Sequence, residues 1–192
     1  MAAKPTGILL AAGASKRFNG YKLLHPLDGT PIALRSARAF IIALPGAFAV
    51  TRLGSPLKAL LENEGFNVVE CERADEGMGA SLAAGVAASI VTTRDVAGWV
   101  VALADMPFIR PATHTRIADA LAAGAELVAA SHLGKRGNPV GIGARFRDHL
   151  LALEGDAGAR NLMRAHPEML TLVECDDPGV LRDIDTREDL AS

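Results

Sequence analysis

Three groups of residues in this chain carry side chains suited to chemistry, and they lie far apart in the sequence. The first is Leu10-Ala11-Ala12-Gly13-Ala14-Ser15-Lys16-Arg17-Phe18-Asn19-Gly20-Tyr21-Lys22, where small residues and two glycines accompany three cations. Gly13 and Ala14 let the backbone approach a flat base or a phosphate that larger side chains would hold off. Arg17 offers a planar fork and Lys22 a compact point charge, and both suit a triphosphate. A tight turn with solvated basic residues fits the same spacing, so residue types alone leave both readings open.

The second group is the apolar run Val100-Val101-Ala102-Leu103-Ala104, which delivers Asp105 and then Met106-Pro107-Phe108. A carboxylate at the C-terminal end of a buried strand stands where open α/β sheets bind ligands. It suits a hard cation that takes oxygen ligands and keeps waters for phosphates. The alternative is a cap on the following helix, with Pro107 fixing the turn. The third group is Asp183-Ile184-Asp185-Thr186, whose two carboxylates fall on one face of an extended segment. If Asp185 meets Asp105 across the sheet, the pair would hold Mg²⁺ against nucleotide phosphates. A capped terminal helix, with Asp185 or Thr186 as N-cap and Glu188 and Asp189 in its first turn, is the structural alternative.

Positioning these groups requires strands that end near one another. Short apolar runs alternate with stretches of helical periodicity, the pattern of parallel strands joined by crossover helices on both sheet faces. Strands are expected at Gly7–Ala11, Ala47–Thr51, Asn67–Cys71, Gly98–Leu103, Glu126–Ala130 and Thr171–Cys175. Helices are expected at Pro31–Leu44, Pro56–Glu64, Gly79–Val91, Pro111–Ala123 and Ala157–His166, several opened by proline or closed by glycine. The fold class is therefore α/β: a single-domain, Rossmann-like three-layer α/β/α with a mostly parallel sheet. Small residues from Ala80 to Ala88 predict a closely packed helix. Gly134-Lys135-Arg136-Gly137-Asn138-Pro139 reads as a loop over the sheet edge.

Composition removes several function classes. The 192 residues carry 49% hydrophobic and 22% charged side chains, with a formal charge of −2 and no long basic run. Bulk attraction to nucleic acid or to an acidic membrane is thus absent from the expectations. Cys71 and Cys175 form no CxxC pair, and the five histidines show no HxH or HExxH spacing. Reduced structural thiols and a cytoplasmic location are expected, and a zinc site is not. The uncharged run from Ala39 to Val50 is interrupted by Pro45-Gly46 and is too short to span a bilayer. The segment from Lys4 to Ala14 has some marks of a signal peptide, but Thr6–Gly13 reads equally as a first buried strand entering a glycine turn. Neither GxxxxGK[ST] nor GxGxxG occurs, which weakens ordinary ATPase and dinucleotide-binding readings.

Leu10-Ala11-Ala12-Gly13 continuing to Arg17 and Gly20-Tyr21-Lys22-Leu23-Leu24 resembles the signature loop of the nucleotidyltransferase superfamily, and in particular of molybdenum cofactor cytidylyltransferases. Phe18-Asn19-Gly20 stands where Met-Gly is usual in the family. The resemblance implies the nucleotide-diphospho-sugar transferase-like fold, with a nucleotide-binding part over residues 6–110 and an acceptor-binding part over 125–192. It assigns Lys22 to the α-phosphate and Arg17 to the β- and γ-phosphates, with Leu10, Ala11, Ala12 and Gly13 around the nucleotide. Leu103-Ala104-Asp105-Met106-Pro107 is similar to the family's metal-binding segment, and Asp183-Ile184-Asp185-Thr186 to its C-terminal motif. Asp105 and Asp185 thereby become Mg²⁺ ligands, while the role of Asp183 stays open. Gly77-Met78-Gly79-Ala80-Ser81-Leu82 looks like the stretch lining the base, carried by Gly77 and Ser81. Gly137-Asn138-Pro139-Val140 and Gly155-Asp156-Ala157-Gly158-Ala159-Arg160 look like acceptor-facing segments, implying Asn138, Pro139, Asp156 and Arg160, with Lys135 as a further candidate for the acceptor's phosphate.

The implied reaction transfers CMP from CTP to the phosphate of molybdopterin or its molybdenum-loaded form and releases pyrophosphate. The base follows from LAAG, since guanine-choosing relatives favour LAGG. A molybdenum hydroxylase apo-enzyme is the implied partner. The alternatives are a guanylyltransferase, a sugar- or polyol-phosphate nucleotidyltransferase, and a non-catalytic nucleotide- or pterin-binding accessory protein. The similarity runs in order from about Thr6 to Leu190.

Overall fold

Alternation within the first strand sets the layers. In β1 (Lys4–Leu10), Ile8 and Leu10 are buried among one set of apolar side chains and Leu9 among another, so both faces of the strand are covered. The computed structural model describes residues 3–13, 18, 21–93, 95–156 and 158–191. Its main sheet adds β4 (Phe48–Arg52), β5 (Asn67–Cys71), β6 (Val96–Leu103), β7 (Leu127–His132), β8 (Lys135–Gly143) and β9 (Leu170–Glu174), after a short hairpin of β2 (Pro26–Leu27) and β3 (Thr30–Pro31). The seven strands run in the order β5-β4-β1-β6-β8-β7-β9, all paired in parallel except where β8 meets β6 and β7.

One face packs against α1 (Ile32–Ala43), α2 (Leu57–Asn63) and α4 (Pro111–Ala122), whose Phe40, Leu61 and Ile117 are fully buried. The other face packs against α3 (Met78–Thr92), α5 (Arg147–Leu151) and α6 (Gly158–Ala165) through Leu82, Val86, Leu150 and Met163. This is the expected three-layer α/β/α arrangement. The chain leaves β1 toward β4 and β5, then crosses back to β6 on the other side of β1, which opens a crevice beyond the carboxyl ends of β1 and β6. The small-residue stretch in α3 packs closely, as expected. A Cβ on Gly85 would lie 2.9 Å from both Ile8 and Val50, so the helix rests almost directly on the sheet.

The loop expected over Gly134–Pro139 is instead the start of β8, an interior strand and not an edge feature. Leu133 and Gly134 form the turn, with φ of 50° and 74°, and the ladder begins at once with His132 opposite Lys135 and Ser131 opposite Arg136. The Glu174 carboxylate fixes the tip by accepting from Ser131 Oγ at 2.8 Å, Leu133 N at 2.5 Å and Gly134 N at 3.4 Å. Those bonds hold its carboxyl below the usual range, the Ser131 hydroxyl having the largest effect. Lys135 and Arg136 hid the strand because their exposed, charged end breaks the apolar pattern. Among the described residues, no helix is long and apolar enough to cross a membrane.

His114 of α4 is buried edge-on against Phe40, with ring centroids 5.0 Å apart, and its Nδ1 has no hydrogen-bond partner among the described residues. Burial lowers its pKa from 6.5 to about 4, against a smaller opposing pull from Asp177. The unfolded chain therefore takes up a proton that the folded chain refuses. The stabilising contribution is complete above about pH 6.5 and falls by about 1.4 kcal/mol per pH unit toward about pH 4. Urea unfolding between pH 7 and pH 5 should show this slope in the wild type and a shallower one in His114→Gln. Equal slopes would assign the acid sensitivity to other groups.

Candidate active site

Beyond the carboxyl end of β1 the backbone splits between two neighbours. Ala104 N donates to Leu10 O at 3.0 Å and Ala11 N donates to Val50 O at 2.8 Å, so Ala12 and Gly13 emerge between β4 and β6. A cleft of about 420 Å³ lies there, within the usual range for a small-molecule site. Leu10, Ala12, Gly13, Lys22, Gly77, Ser81, Asp105, Asp156 and Asp185 from the sequence analysis all line it. Ala11 lines a neighbouring cavity of about 240 Å³ together with Gly13 and Arg52. Arg17 lies outside the described residues. Asn138, Pro139 and Arg160 are not among the lining residues: the first two sit in β8, and Arg160 is exposed on α6.

Lys22 opens a short 3-10 turn, Lys22–Leu24, anchored by the buried Leu23. Its side chain is only 10% exposed, and its Nζ donates to Asp105 Oδ2 at 2.8 Å and to Asp185 Oδ1 at 3.3 Å. Three residues separated by up to 163 positions thus meet at one ammonium group. Two backbone devices bring the carboxylates there. The carbonyl of Asp105 accepts from Ile184 N at 2.9 Å, and Ile184 is fully buried, which seats the tail beside the end of β6. The Asp189 carboxylate then accepts from Asp185 N at 2.9 Å, Thr186 N at 2.7 Å and Thr186 Oγ at 3.0 Å. Those donors, led by Thr186 N, depress its pKa and keep it ionised.

Asp105 does not cap the following helix. Its Oδ1 is buried without a hydrogen-bond partner among the described residues, while α4 starts at Pro111. The carboxylate that organises the start of α4 is the buried Asp177, which accepts from Arg110 N at 2.9 Å, Thr113 Oγ at 2.6 Å and Gly179 N at 3.0 Å. The Asp185 carboxylate accepts from Lys22, and the terminal 3-10 turn Glu188–Ala191 carries Glu188 and Asp189 in its first turn, with Asp189 reaching back to Asp185 N and Thr186 N. Asp183 is exposed and does not line the cleft.

The opposite wall is the turn Ala74–Glu76 and the start of α3. Gly77 has φ of +131°, and a Cβ on it would come within 2.4 Å of the Gly155 carbonyl carbon and 2.5 Å of Asp156 Oδ1. The Gly155–Asp156 segment is therefore pressed against this wall, fastened by Gly79 N donating to Gly155 O at 2.7 Å. The turn itself buries no side chain and is held from both sides by charge. Arg73 pairs with Glu76, and Arg52 pairs with Asp75 while donating to Ala12 O at 3.3 Å. Arg52 is a site residue that sequence reasoning missed. Its signal was available: a lone cation closing the apolar run Phe48–Thr51, at the carboxyl end of a strand beside β1.

The cleft's described lining holds Lys22 and Arg52 against the carboxylates of Asp75, Asp105, Asp156 and Asp185. A polyanion entering it needs a cation to accompany it. Asp105 and Asp185, with the unpartnered Asp105 Oδ1, are the side chains suited to hold that cation. Among the described residues no group of three or more His, Cys, Asp or Glu side chains gathers into a metal cage. Two carboxylates therefore fit an ion such as Mg²⁺, which completes its shell with water and phosphate.

Comparison with known proteins agrees with this architecture. Residues 7–170 match the MobA-like NTP transferase domain. The chain belongs to that family. It is 31% identical to a protein named nicotine blue oxidoreductase from Paenarthrobacter nicotinovorans, over 96% of this chain and 94% of the relative. It is 29% identical to purine catabolism protein PucB from Bacillus subtilis, over 95% and 92%. Among solved structures, Rv0371c from Mycobacterium tuberculosis superposes with a TM-score of 0.84 at 26% identity, covering 100% of this chain and 97% of that one. A second structure of Rv0371c, a complex with manganese, superposes with a TM-score of 0.77 at 24% identity, covering 98% and 97%. The chain is a nucleotidyltransferase of the MobA-like family.

Gly77→Ala tests how the two walls are joined. The added methyl cannot coexist with the Gly155 backbone, and the positive φ is itself unfavourable for alanine, so a loss of about 1–3 kcal/mol in unfolding free energy is expected. Nucleotide affinity should weaken in the same variant when measured by calorimetry. Wild-type stability and affinity would show that the contact is slack.

Proposed function

We propose that this chain transfers CMP from CTP to the terminal phosphate of molybdopterin or its molybdenum-loaded form and releases pyrophosphate, with Mg²⁺ bound at Asp105 and Asp185. The observation that carries the proposal is the meeting of Lys22, Asp105 and Asp185 at one end of a cleft whose other end is Gly77 and Ser81. An acceptor phosphate oxygen attacks the α-phosphorus, the α–β phosphoanhydride bond breaks, and pyrophosphate leaves. No covalent protein intermediate is needed, so the protein's work is to position two anions and neutralise charge.

Lys22 supplies a point charge to the α-phosphate, on a flexible stem that reaches it from the 3-10 turn. Arg17 serves the β- and γ-phosphates. Leu10, Ala11, Ala12 and Gly13 leave the backbone open to the nucleotide; a Cβ on Gly13 would meet nothing within 4 Å. Gly77 and Ser81 face the base, and Arg52 joins the loop at Ala12 to the turn at Asp75. Bound Mg²⁺ supplies neutralisation of the phosphates. Asp156 lines the cleft and faces the acceptor; Asn138, Pro139 and Arg160, which do not line it, are assigned to the acceptor by family resemblance alone. Residues 6–110 thus form the nucleotide half and 125–192 the acceptor half, with a cytoplasmic molybdenum hydroxylase apo-enzyme as recipient. The choice of CTP rests on the LAAG sequence, and the acceptor rests on family resemblance.

The relative named an oxidoreductase supplies a second reading, an oxidoreduction at the same cleft. Two assays separate them. Incubation with each NTP, Mg²⁺ and molybdenum cofactor should yield the cytosine dinucleotide by mass, with equimolar pyrophosphate. Consumption of reduced nicotinamide without pyrophosphate would favour the second reading. Lys22→Ala and Asp105→Ala should each lower pyrophosphate release by a factor of about 10² or more with an unchanged circular dichroism spectrum. Normal turnover in either variant would refute its role. Chelation by EDTA should abolish release, and added Mg²⁺ or Mn²⁺ should restore it.

A further inference from the structure

We infer that the Lys22 ammonium is a resident substitute for the divalent cation, holding the two metal-binding carboxylates until a nucleotide's phosphates offer it another partner. The inference rests on the proposed metal role of Asp105 and Asp185 and adds the order in which the site fills. Lys22 Nζ lies 2.8 Å from Asp105 Oδ2 and 3.3 Å from Asp185 Oδ1. Mg²⁺ held at about 2.0–2.1 Å by these carboxylates would stand within a few ångströms of the ammonium. The two cations repel in a cleft where the lysine side chain is 10% exposed and little water screens them.

Charge explains why a substitute belongs there. Without Lys22, the partly buried Asp105 would lose the cation at its Oδ2 while its Oδ1 has no partner among the described residues. The ammonium relieves this in the free protein. When a triphosphate arrives with its cation, the metal takes the carboxylates and the ammonium moves along its flexible stem to the phosphates. Free metal pays for that exchange without the phosphate partner, so it binds weakly alone. The species the site accepts is therefore the metal–nucleotide complex, and by linkage each component raises the affinity of the other by the same factor.

Mn²⁺ alone is the probe, measured by electron paramagnetic resonance without nucleotide or acceptor. Lys22→Gln should bind Mn²⁺ at least about tenfold more tightly than the wild type, and adding Asp105→Asn should erase the gain. In the wild type, Mn²⁺ at saturating concentration should increase acylation of Lys22 by an amine-directed reagent, read by peptide mass spectrometry, because the ammonium is expelled. This labelling arm needs no variant and decides the matter if Lys22→Gln fails to fold. Equal or weaker Mn²⁺ binding in a folded Lys22→Gln, or unchanged Lys22 labelling at saturation, would overturn the inference. The metal site itself would survive if Asp105→Asn still weakened wild-type binding. If Asp105→Asn and Asp185→Asn both left Mn²⁺ binding untouched, the metal assignment would fall and the inference with it.

Discussion

A single partly buried ionic junction fixes how three segments of this chain meet. Lys22 comes from the loop after the first strand, Asp105 from the end of the central strand and Asp185 from the tail, and no two are neighbours in sequence. Ion pairs at a surface contribute little, but a lysine with 10% of its side chain exposed must have its charge matched. Matching it fixes where three chain segments end. The sheet supplies the first two positions through the adjacency of β1 and β6. The third depends on Ile184 entering the core and on Asp189 holding the backbone of Asp185.

Around that junction, the two ends of the cleft are built on different principles. The cation end rests on apolar packing: Leu23, Ala104 and Ile184 are buried, and Ser36 Oγ bonds the Ala104 carbonyl at 2.9 Å. The opposite end buries no side chain in the turn Ala74–Glu76 and relies on Arg52, Arg73 and the close contact of Gly77 with Gly155. The packed end suits a reaction centre whose geometry must not drift. The charge-strapped end can adjust to a ligand at little cost, because exposed ion pairs exchange partners readily.

Much of this was legible in the sequence, for definite reasons. Buried parallel strands read as apolar runs, so β1, β4, β5, β6, β7 and β9 were expected within three residues of where they lie. The convergence of Lys22, Asp105 and Asp185 followed from carboxylates placed at strand ends and from family resemblance. What escaped was fixed by contacts across the chain. β8 begins with Lys135 and Arg136, and its place inside the sheet depends on pairing with β6 and β7. Asp177 looked like one acidic residue among several, and only its burial against Arg110, Thr113 and Gly179 marks it as structural. Arg52 needed the neighbouring strand to show that it closes a cleft.

The position of Asp185 has a consequence for how the protein comes into being. Every strand of the sheet, ending with β9 at Glu174, precedes it in the chain. A chain synthesised only as far as Glu174 thus carries every described strand while the proposed metal site still lacks a carboxylate. The proposed site is completed only when the segment holding Ile184 and Asp185 docks beside the end of β6.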